Sequence, residues 1–238
     1  MLGAGSLTHF CPACALPEVN LAPGWEADPD QFAMWKFMRS FVMDGNFSAE
    51  HLRSRAPEDD VVLADGTGYM VATDEYEQRL ASAPDEQKVS LCLRTFRPEP
   101  SDCHVHRAVT QSNADKANLD VTGIGAIACS RQGFFAPHAA VNFSKGEKYK
   151  CMDYSLSNAL KYTLHGATTI LLLYDIMCQY GVNLRRRFQR CLSLLGDLAT
   201  RFTIKKGVDV WHIQDHVEKC FARFTPSFLR GAGHQDRH

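Results

Sequence analysis

The sequence has no apolar stretch that approaches the roughly 20 residues of a membrane-spanning helix, so we expect no transmembrane segment. Its first residues lack the charged start and the apolar core of a signal peptide. A strong net charge is also missing: 26 Lys and Arg against 27 Asp and Glu give −1, unlike a protein that only grips DNA. What remains is an ordinary globular composition over 238 residues, enough for one large domain or two small ones.

Cysteine, by contrast, is plentiful. The chain has nine cysteines without a secretion signal, which favours free thiols or metal ligands over a disulfide framework. The odd number of cysteines points the same way.

The near-neutral average charge hides a local bias. Residues 50–86 lean acidic, whereas residues 185–206 form a basic cluster opposed only by Asp197. The basic residues of this cluster are Arg185, Arg186, Arg187, Arg190, Arg201, Lys205 and Lys206. We expect Arg185, Arg186 and Arg187 to contact DNA phosphates, which basic side chains neutralise without sequence preference. The alternative for these three residues is a solvated helix face.

Two acidic residues follow apolar runs. Residues 170–174 are apolar and end at Asp175, and a second apolar run ends at Asp44. A carboxylate at the end of a buried strand needs a metal or a hydrogen-bond network, because a lone buried charge is costly. Two such acids indicate a metal-dependent site that cuts phosphodiester bonds. The alternative is that Asp44 caps a turn with Gly45 and that Asp175 caps the following helix.

The local patterns predict a mixture of strands and helices. We expect strands at residues 37–43, 61–63, 170–174 and 208–213, and helices at 74–83, 150–164 and 178–196, with a further short helix beginning near 28–30. This mixture, with acids at strand ends, predicts a three-layer α/β fold. The predicted parts are residues 1–83 and 151–238 as the two halves of the core and residues 84–150 as a Cys/His insertion.

The insertion offers a zinc site. Cys103 and His106 form one close pair of ligands, and Cys129 begins a second pair in which Gln132 stands at the expected ligand position. Candidates for the missing ligand are His104, His138 and Cys151. The alternative is a scatter of buried thiols and surface imidazoles.

Two further groups carry metal-ligand spacing. Cys11 and Cys14 form a Cys-x-x-Cys pair, which is either half of a zinc site or a redox pair. His212, His216 and Cys220 follow at steps of four and would share one face of a helix. Structural roles for these three side chains are the alternative.

Taken together, the chain resembles the Kyakuja–Dileera–Zisupton (KDZ) transposase family over nearly its whole length. The number, order and spacing of the segments make the resemblance specific. The segments are CPAC at 11–14, FVMDGNFSAEH at 41–51, EDDVVLADGTGYM at 58–70, CHVHRAVTQSNA at 103–114, TGIGAIACSRQGFFAPHAAVNFSKGEKY at 122–149, MDYSL at 152–156, LLYDIMCQYGVNLRRR at 172–187 and WHIQDHVEKCFARFTPSFLRGAG at 211–233.

The resemblance implies an RNase H-like catalytic core with an Asp, Asp, Glu set of metal ligands. Asp44 resembles the first acid of that set and Asp175 the second. With Mg²⁺ or Mn²⁺, such a set cleaves and joins DNA strands. The resemblance also implies that DNA, as transposon ends, is the partner and that the protein works in the nucleus, with self-association left open.

Three positions of the family pattern are not matched. The first is the Glu of an Asp-Gly-Glu motif, which is the third acid of the set: Asp236 matches the Asp of this motif, but Arg237 and His238 follow it and the Glu is missing. Gln132 stands where the family has His, and Asn142 where it has Asp. From the missing Glu we expect impaired or absent catalysis in a truncated chain, since metal ligands of one site act as a unit. The alternative function is a non-catalytic, zinc-stapled module that binds DNA or protein.

Overall fold

The structure is a computed structural model that describes residues 3–27, 35–62, 64–83, 118–144, 148–190 and 202–233. Several positions singled out by the sequence lie outside these ranges: residues 28–30, Leu63, Cys103, His104, His106, Arg201 and Asp236. Among the described helices, none combines the length and the apolar character that crossing a membrane requires.

The described ranges contain strands, α-helices and short 3-10 helices. The strands are β1 (Arg39–Asn46), β2 (His51–Leu52), β3 (Leu119–Val121), β4 (Gly123–Cys129), β5 (Val141–Phe143), β6 (Thr169–Tyr174) and β7 (Thr203–Gly207). The α-helices are α1 (Thr73–Ser82), α2 (Tyr149–Thr163), α3 (Met177–Tyr180), α4 (Leu184–Arg190) and α5 (Glu218–Phe224). The 3-10 helices are Trp25–Ala27, Pro57–Asp59, His212–Asp215 and Pro226–Phe228.

Five strands form one mixed sheet in the order β5-β4-β1-β6-β7. β1 pairs antiparallel with β4, and β4 pairs antiparallel with β5. On the other side, β1, β6 and β7 run parallel to one another. The carboxyl ends of these three parallel strands therefore meet at one edge of the sheet. β2 and β3 form a separate two-stranded ribbon.

Helix α2 packs on one face of the sheet and is buried almost all round. Met152, Leu156 and Ala159 of α2 join the main apolar cluster with side chains of β1, β4, β5 and β6. The helix lies close to the sheet because β4 carries Gly125: a Cβ there would lie 2.5 Å from the ring of Phe143 and 2.7 Å from Sδ of Met152. This close approach is the packing reason for glycine in a strand interior.

The opposite face of the sheet carries a smaller apolar cluster. Leu171 and Leu173 of β6 point to this face, as their alternation with Leu172 requires, and they pack with Met38 and Ala232. The chain after α5 therefore returns across the sheet and covers the side opposite to α2.

A buried ion pair joins α2 to α4. Arg187 donates from Nε to Oδ2 of Asp153 at 2.7 Å and from Nη2 to Oδ1 at 3.0 Å, and the hydroxyl of Tyr180 donates to the same carboxylate at 2.7 Å. The guanidinium also stacks over the rings of Tyr149 and Tyr180. Each group thus has partners inside the protein, which fixes α4 against the core.

The structure confirms several predicted elements and moves others. β1, β6, α1 and α2 lie where residues 37–43, 170–174, 74–83 and 150–164 predicted them. The predicted strand at 61–63 is wrong for Val61 and Val62, which lie exposed in a loop. The predicted helix at 178–196 is divided: α3 ends at Tyr180 and α4 begins at Leu184.

The last predicted strand, at residues 208–213, is displaced. The strand β7 is Thr203–Gly207, and residues 208–213 lead from it into a 3-10 helix. The strand β7 was not predicted because its sequence is polar. In the structure, the amino groups of Lys205 and Lys206 donate to the carbonyls of Arg230 and Gly181, and the aliphatic parts of both side chains lie against the protein.

The described part of the predicted insertion belongs to the central sheet. β4 and β5 lie within residues 84–150 and pair with β1 and with each other. Gly125 of this region provides close packing within β4. Residues 84–117 of the predicted insertion lie outside the described residues.

Candidate metal centre

Three aspartates stand in one row at the carboxyl ends of the parallel strands. Val42 of β1 pairs with Leu173 of β6, and Leu173 pairs with Gly207 of β7. Asp44, Asp175 and Asp209 each follow that register position by two residues. We call these three residues the carboxylate row. The sequence singled out Asp44 and Asp175, and the structure brings them side by side and adds Asp209.

The pKa of Asp44 depends on its burial and on the charges of the residues around it. Exclusion of water by the surrounding protein raises the pKa of its carboxyl, and the negative charges of Asp175 and Asp209 raise that pKa further. The N–H of Gly45, which donates to Asp44 Oδ1 at 2.7 Å, and the charge of His212 act in the opposite direction. The alternative interpretation of Asp44 as the cap of a turn with Gly45 is wrong, because both residues lie in β1 and pair with Ala126 and Gly125 of β4. Asp44 belongs instead to a group of three carboxylates.

Asp209 is held by the residues that follow it. Its Oδ1 accepts from the backbone N–H groups of Trp211 and His212 at 3.0 and 2.9 Å, and its Oδ2 lies 2.6 Å from Nδ1 of His212. Burial opposes the charge of Asp209, but these hydrogen bonds prevail and its pKa is lowered. The hydrogen bond to Asp209 raises the pKa of His212 to about 9, and Asp175 and Asp44 contribute to the rise.

Asp175 faces a different histidine. Nε2 of the buried His216 lies 3.3 Å from Oδ1 of Asp175, whose side chain is 28% exposed. The alternative interpretation of Asp175 as a helix cap is not what the structure shows, because Ile176 is the residue that precedes α3 and no side chain caps this helix. The position of Asp175 is thus explained by its neighbours in the row and by His216.

His216 also belongs to a second group of potential ligands. Cys178, His216 and Cys220 place their ligand atoms within 4.8 Å of one another. The sequence predicted one face for His212, His216 and Cys220; the structure keeps the last two together, replaces the first by Cys178, and turns His212 towards Asp209.

Cys129 lies with Cys11 and Cys14. The three thiols are buried and their sulfurs lie within 4.8 Å of one another. Of the predicted zinc ligands, Cys129 thus finds partners in the Cys-x-x-Cys pair, while Cys103 and His106 lie outside the described residues. His138, one of the substitutes considered, instead bonds the carbonyl of Gly66 through Nδ1 at 2.7 Å. Both groups of thiol and imidazole ligands are compatible with zinc binding.

The basic cluster divides into buried and exposed members. Arg187 is engaged with Asp153 and its side chain is only 15% exposed. Arg185 and Arg186, on the same helix α4, are exposed. The prediction of DNA contact stays open for all three, but the guanidinium groups of Arg185 and Arg186 are the ones that solvent reaches freely.

The carboxylate row offers hard oxygen ligands, which Mg²⁺ and Mn²⁺ prefer over soft sulfur. Burial raises the pKa of Asp44, and the charges of Asp175 and Asp209 add to the rise. A divalent cation would relieve the repulsion among the three carboxylates. Among the described residues, the groups of three or more whose ligand atoms lie within 4.8 Å of one another are the two cysteine-containing groups, and the carboxylate row is not one of them. The sequence missed Asp209 because its strand was predicted too far along the chain.

Comparison with models of known protein families finds a match over most of the chain. The family model described as Kyakuja-Dileera-Zisupton transposase matches residues 37–238, which include the whole five-stranded sheet and the carboxylate row. Neither a curated protein nor a solved structure matches the chain.

Proposed function

Because the chain belongs to the Kyakuja–Dileera–Zisupton transposase family, we propose that it acts on DNA through divalent metal ions held by the carboxylate row. The activity proposed is cleavage and joining of DNA strands. The observation that carries the proposal is the common register of Asp44, Asp175 and Asp209 at the ends of three parallel strands.

The sheet supports an RNase H-like core as part of this proposal. Its order β5-β4-β1-β6-β7 places the first strand of the sheet at the centre, and β4 is the one strand of this sheet that runs opposite to the other four. Asp44, which resembles the first acid of the family's set, lies on the central strand β1, and Asp175, which resembles the second, directly follows the parallel neighbour β6.

Asp44 and Asp175 would hold the metal, and Asp209 would face it from the adjacent strand. When bound, divalent ions activate the attacking oxygen and stabilise the leaving oxygen in phosphodiester chemistry. The protein's part is to fix the carboxylates: β1 and β6 hold two of them by backbone pairing, and the N–H groups of Trp211 and His212 orient Asp209. Protonated His212 adds a positive charge that reduces repulsion within the row.

Helix α4 follows Asp175 closely in the chain and supplies the exposed Arg185 and Arg186. Arginine side chains at such positions bind phosphates in any sequence and give a salt-dependent affinity. We propose that these two residues position the DNA backbone, while Arg187 positions α4 itself through Asp153.

The test measures Mn²⁺ binding and Mn²⁺- or Mg²⁺-dependent nicking of supercoiled plasmid DNA by the full chain. We expect Asp44→Asn and Asp175→Asn to lose both, since each removes a charged ligand from the row. Asp59→Asn is the matched control, because Asp59 is an exposed aspartate on a separate 3-10 turn.

The two readouts separate the outcomes. Equal nicking by the wild type and Asp175→Asn would contradict the role of Asp175. Mn²⁺ binding that requires Asp175, without nicking under any condition, would favour the non-catalytic DNA-binding module instead.

A further inference from the structure

The thiol cluster formed by Cys11, Cys14 and Cys129 lies away from the carboxylate row. Cys129 ends β4, where it is beside Phe41 of β1, whereas Cys11 and Cys14 come from the segment before the sheet. All three side chains are buried, with exposures of 0, 5 and 3%. The sulfurs of Cys14 and Cys129 are 3.5 Å apart, well beyond the roughly 2 Å of a disulfide.

Two tight turns present these thiols. The N–H of Cys14 donates to the carbonyl of Cys11 at 3.2 Å, and the N–H of Gly133 donates to the carbonyl of Cys129 at 2.8 Å. Within the turns, the backbone N–H of Ala13 points to the sulfur of Cys11. Those of Arg131 and Gln132 point to the sulfur of Cys129. Backbone N–H groups directed at sulfur favour the thiolate, which is the form that binds metal.

A buried arginine stands beside the cluster. Arg39, at the start of β1, is 1% exposed and donates from Nη2 to the carbonyl of Ala15 at 2.6 Å. Its guanidinium lies 4.8 Å from the centre of the Phe10 ring, and its Nε has no hydrogen-bond partner among the described residues. A buried cation requires nearby negative charge, and the three sulfurs are the groups that can supply it.

A divalent cation also fits the charge of the cluster. Three thiolates would be neutralised by a divalent cation together with the buried guanidinium of Arg39.

We propose that Cys11, Cys14 and Cys129 bind one Zn²⁺ as thiolates and so tie the N-terminal segment to the end of β4. Binding displaces the thiol protons to solvent without any change of oxidation state. Cys11 and Cys14 precede the residues matched by the family model, so this ligand set differs from Cys103, His106 and Cys129. It shares one residue with that set and joins parts of the chain 115 positions apart.

The experiment uses the full chain, purified under reducing conditions with zinc supplied and then freed of unbound metal. Elemental analysis should find one zinc per chain fewer in Cys14→Ser and in Cys129→Ser than in the wild type. Cys151→Ser is the matched control, because it removes a buried thiol that belongs to neither ligand group among the described residues and should keep the full zinc content. An unchanged zinc content in Cys14→Ser would overturn the proposal, as would an equal loss of zinc in Cys151→Ser.

A second measurement does not depend on the variants folding. X-ray absorption at the zinc edge of the wild type should show about three sulfur neighbours at about 2.3 Å. Titration of zinc into the reduced, metal-free chain should release protons and protect thiols from alkylation. Fewer than three sulfur neighbours, or a disulfide between Cys11 and Cys14 in the freshly isolated chain by mass spectrometry, would contradict the assignment.

Discussion

The two ends of strand β1 offer opposite metal chemistries. Near its first residue, Arg39, lie three buried sulfurs. Near its carboxyl end lies the carboxylate row, in which Asp44 is exposed and the side chains of Asp175 and Asp209 are 28% and 13% exposed. Soft, enclosed ligands suit a structural ion, whereas hard, accessible carboxylates suit an ion that must also meet a substrate. The same strand thus separates the proposed structural zinc site from the proposed catalytic metal site.

Removing one ligand from the thiol cluster and one from the carboxylate row tests this comparison most directly. We expect Asp175→Asn to lose Mn²⁺ binding, and with it any metal-dependent DNA nicking that the wild type shows, because the ligands of one metal site act as a unit. Its zinc content and melting temperature should stay close to the wild type. Cys14→Ser should do the reverse: it should lose zinc and melt several degrees lower, yet still bind Mn²⁺ when folded.

Plasmid nicking, elemental analysis and thermal melts on the same preparations check both halves of this prediction. Loss of zinc in Asp175→Asn would show that the two ends of β1 are not independent.

The next prediction concerns Arg187, which holds α4 against the core through Asp153. Arg187→Ala leaves the buried carboxylate of Asp153 without its cation, which should destabilise the protein by about 3 kcal/mol. Arg186→Ala, one residue earlier on the same helix and exposed, should change stability by less than about 0.5 kcal/mol and instead weaken DNA binding in a salt-dependent way.

Urea unfolding and DNA-binding titrations at two salt concentrations separate the two arginines. Equal stability of the two variants would remove the distinction between a buried and a DNA-facing arginine.

A smaller effect concerns the packing of α2 against the central sheet, to which both ends of β1 belong. Gly125→Ala places a Cβ against Phe143 and Met152, and overpacking of this kind costs about 1–3 kcal/mol. Gly3→Ala is the control, because a Cβ at Gly3 meets nothing within 4 Å. Chemical denaturation of both variants gives the comparison, and a neutral Gly125→Ala would mean that α2 can move away from β4 freely.

The smallest expected effect is a pH dependence of folding stability that arises from His212, which pairs with Asp209 of the carboxylate row. The pKa of His212 is raised from 6.5 to about 9 by its bond to Asp209, so the pair stabilises the folded, metal-free protein fully below pH 6.5. That contribution is lost as the pH rises through 9, where His212 deprotonates. In EDTA, the stability difference between the wild type and His212→Gln should therefore shrink between these pH values.

The exposed His51→Gln is the control for this titration. A difference between the wild type and His212→Gln that stays constant across the range would show that His212 does not pair with Asp209 in solution.

The sequence predicted the centre of the fold better than its edge. Apolar runs located β1 and β6, and acids placed directly after such runs gave Asp44 and Asp175. Their adjacency followed from the parallel pairing, which no local pattern could show. β7 was missed because an edge strand tolerates lysines, and with it the position of Asp209 was lost.

The thiol cluster could not be predicted from local sequence patterns, for a different reason. Cys11-x-x-Cys14 and Cys129 were each recognised as half of a site, but their union depends on β4 lying beside β1. The sequence instead paired Cys129 with the nearer Cys103 and His106. Short spacing identifies ligand pairs, whereas the fold decides which pairs meet.

The register of the carboxylate row has a geometric consequence. Parallel strands in a sheet are each rotated by about 20–25° relative to the next, so β1, β6 and β7 fan through about 45° across the row. Asp44, Asp175 and Asp209 therefore lie along an arc, with Asp175 at its middle. In the proposed function, the two outer aspartates would therefore face a DNA phosphate from different sides of Asp175.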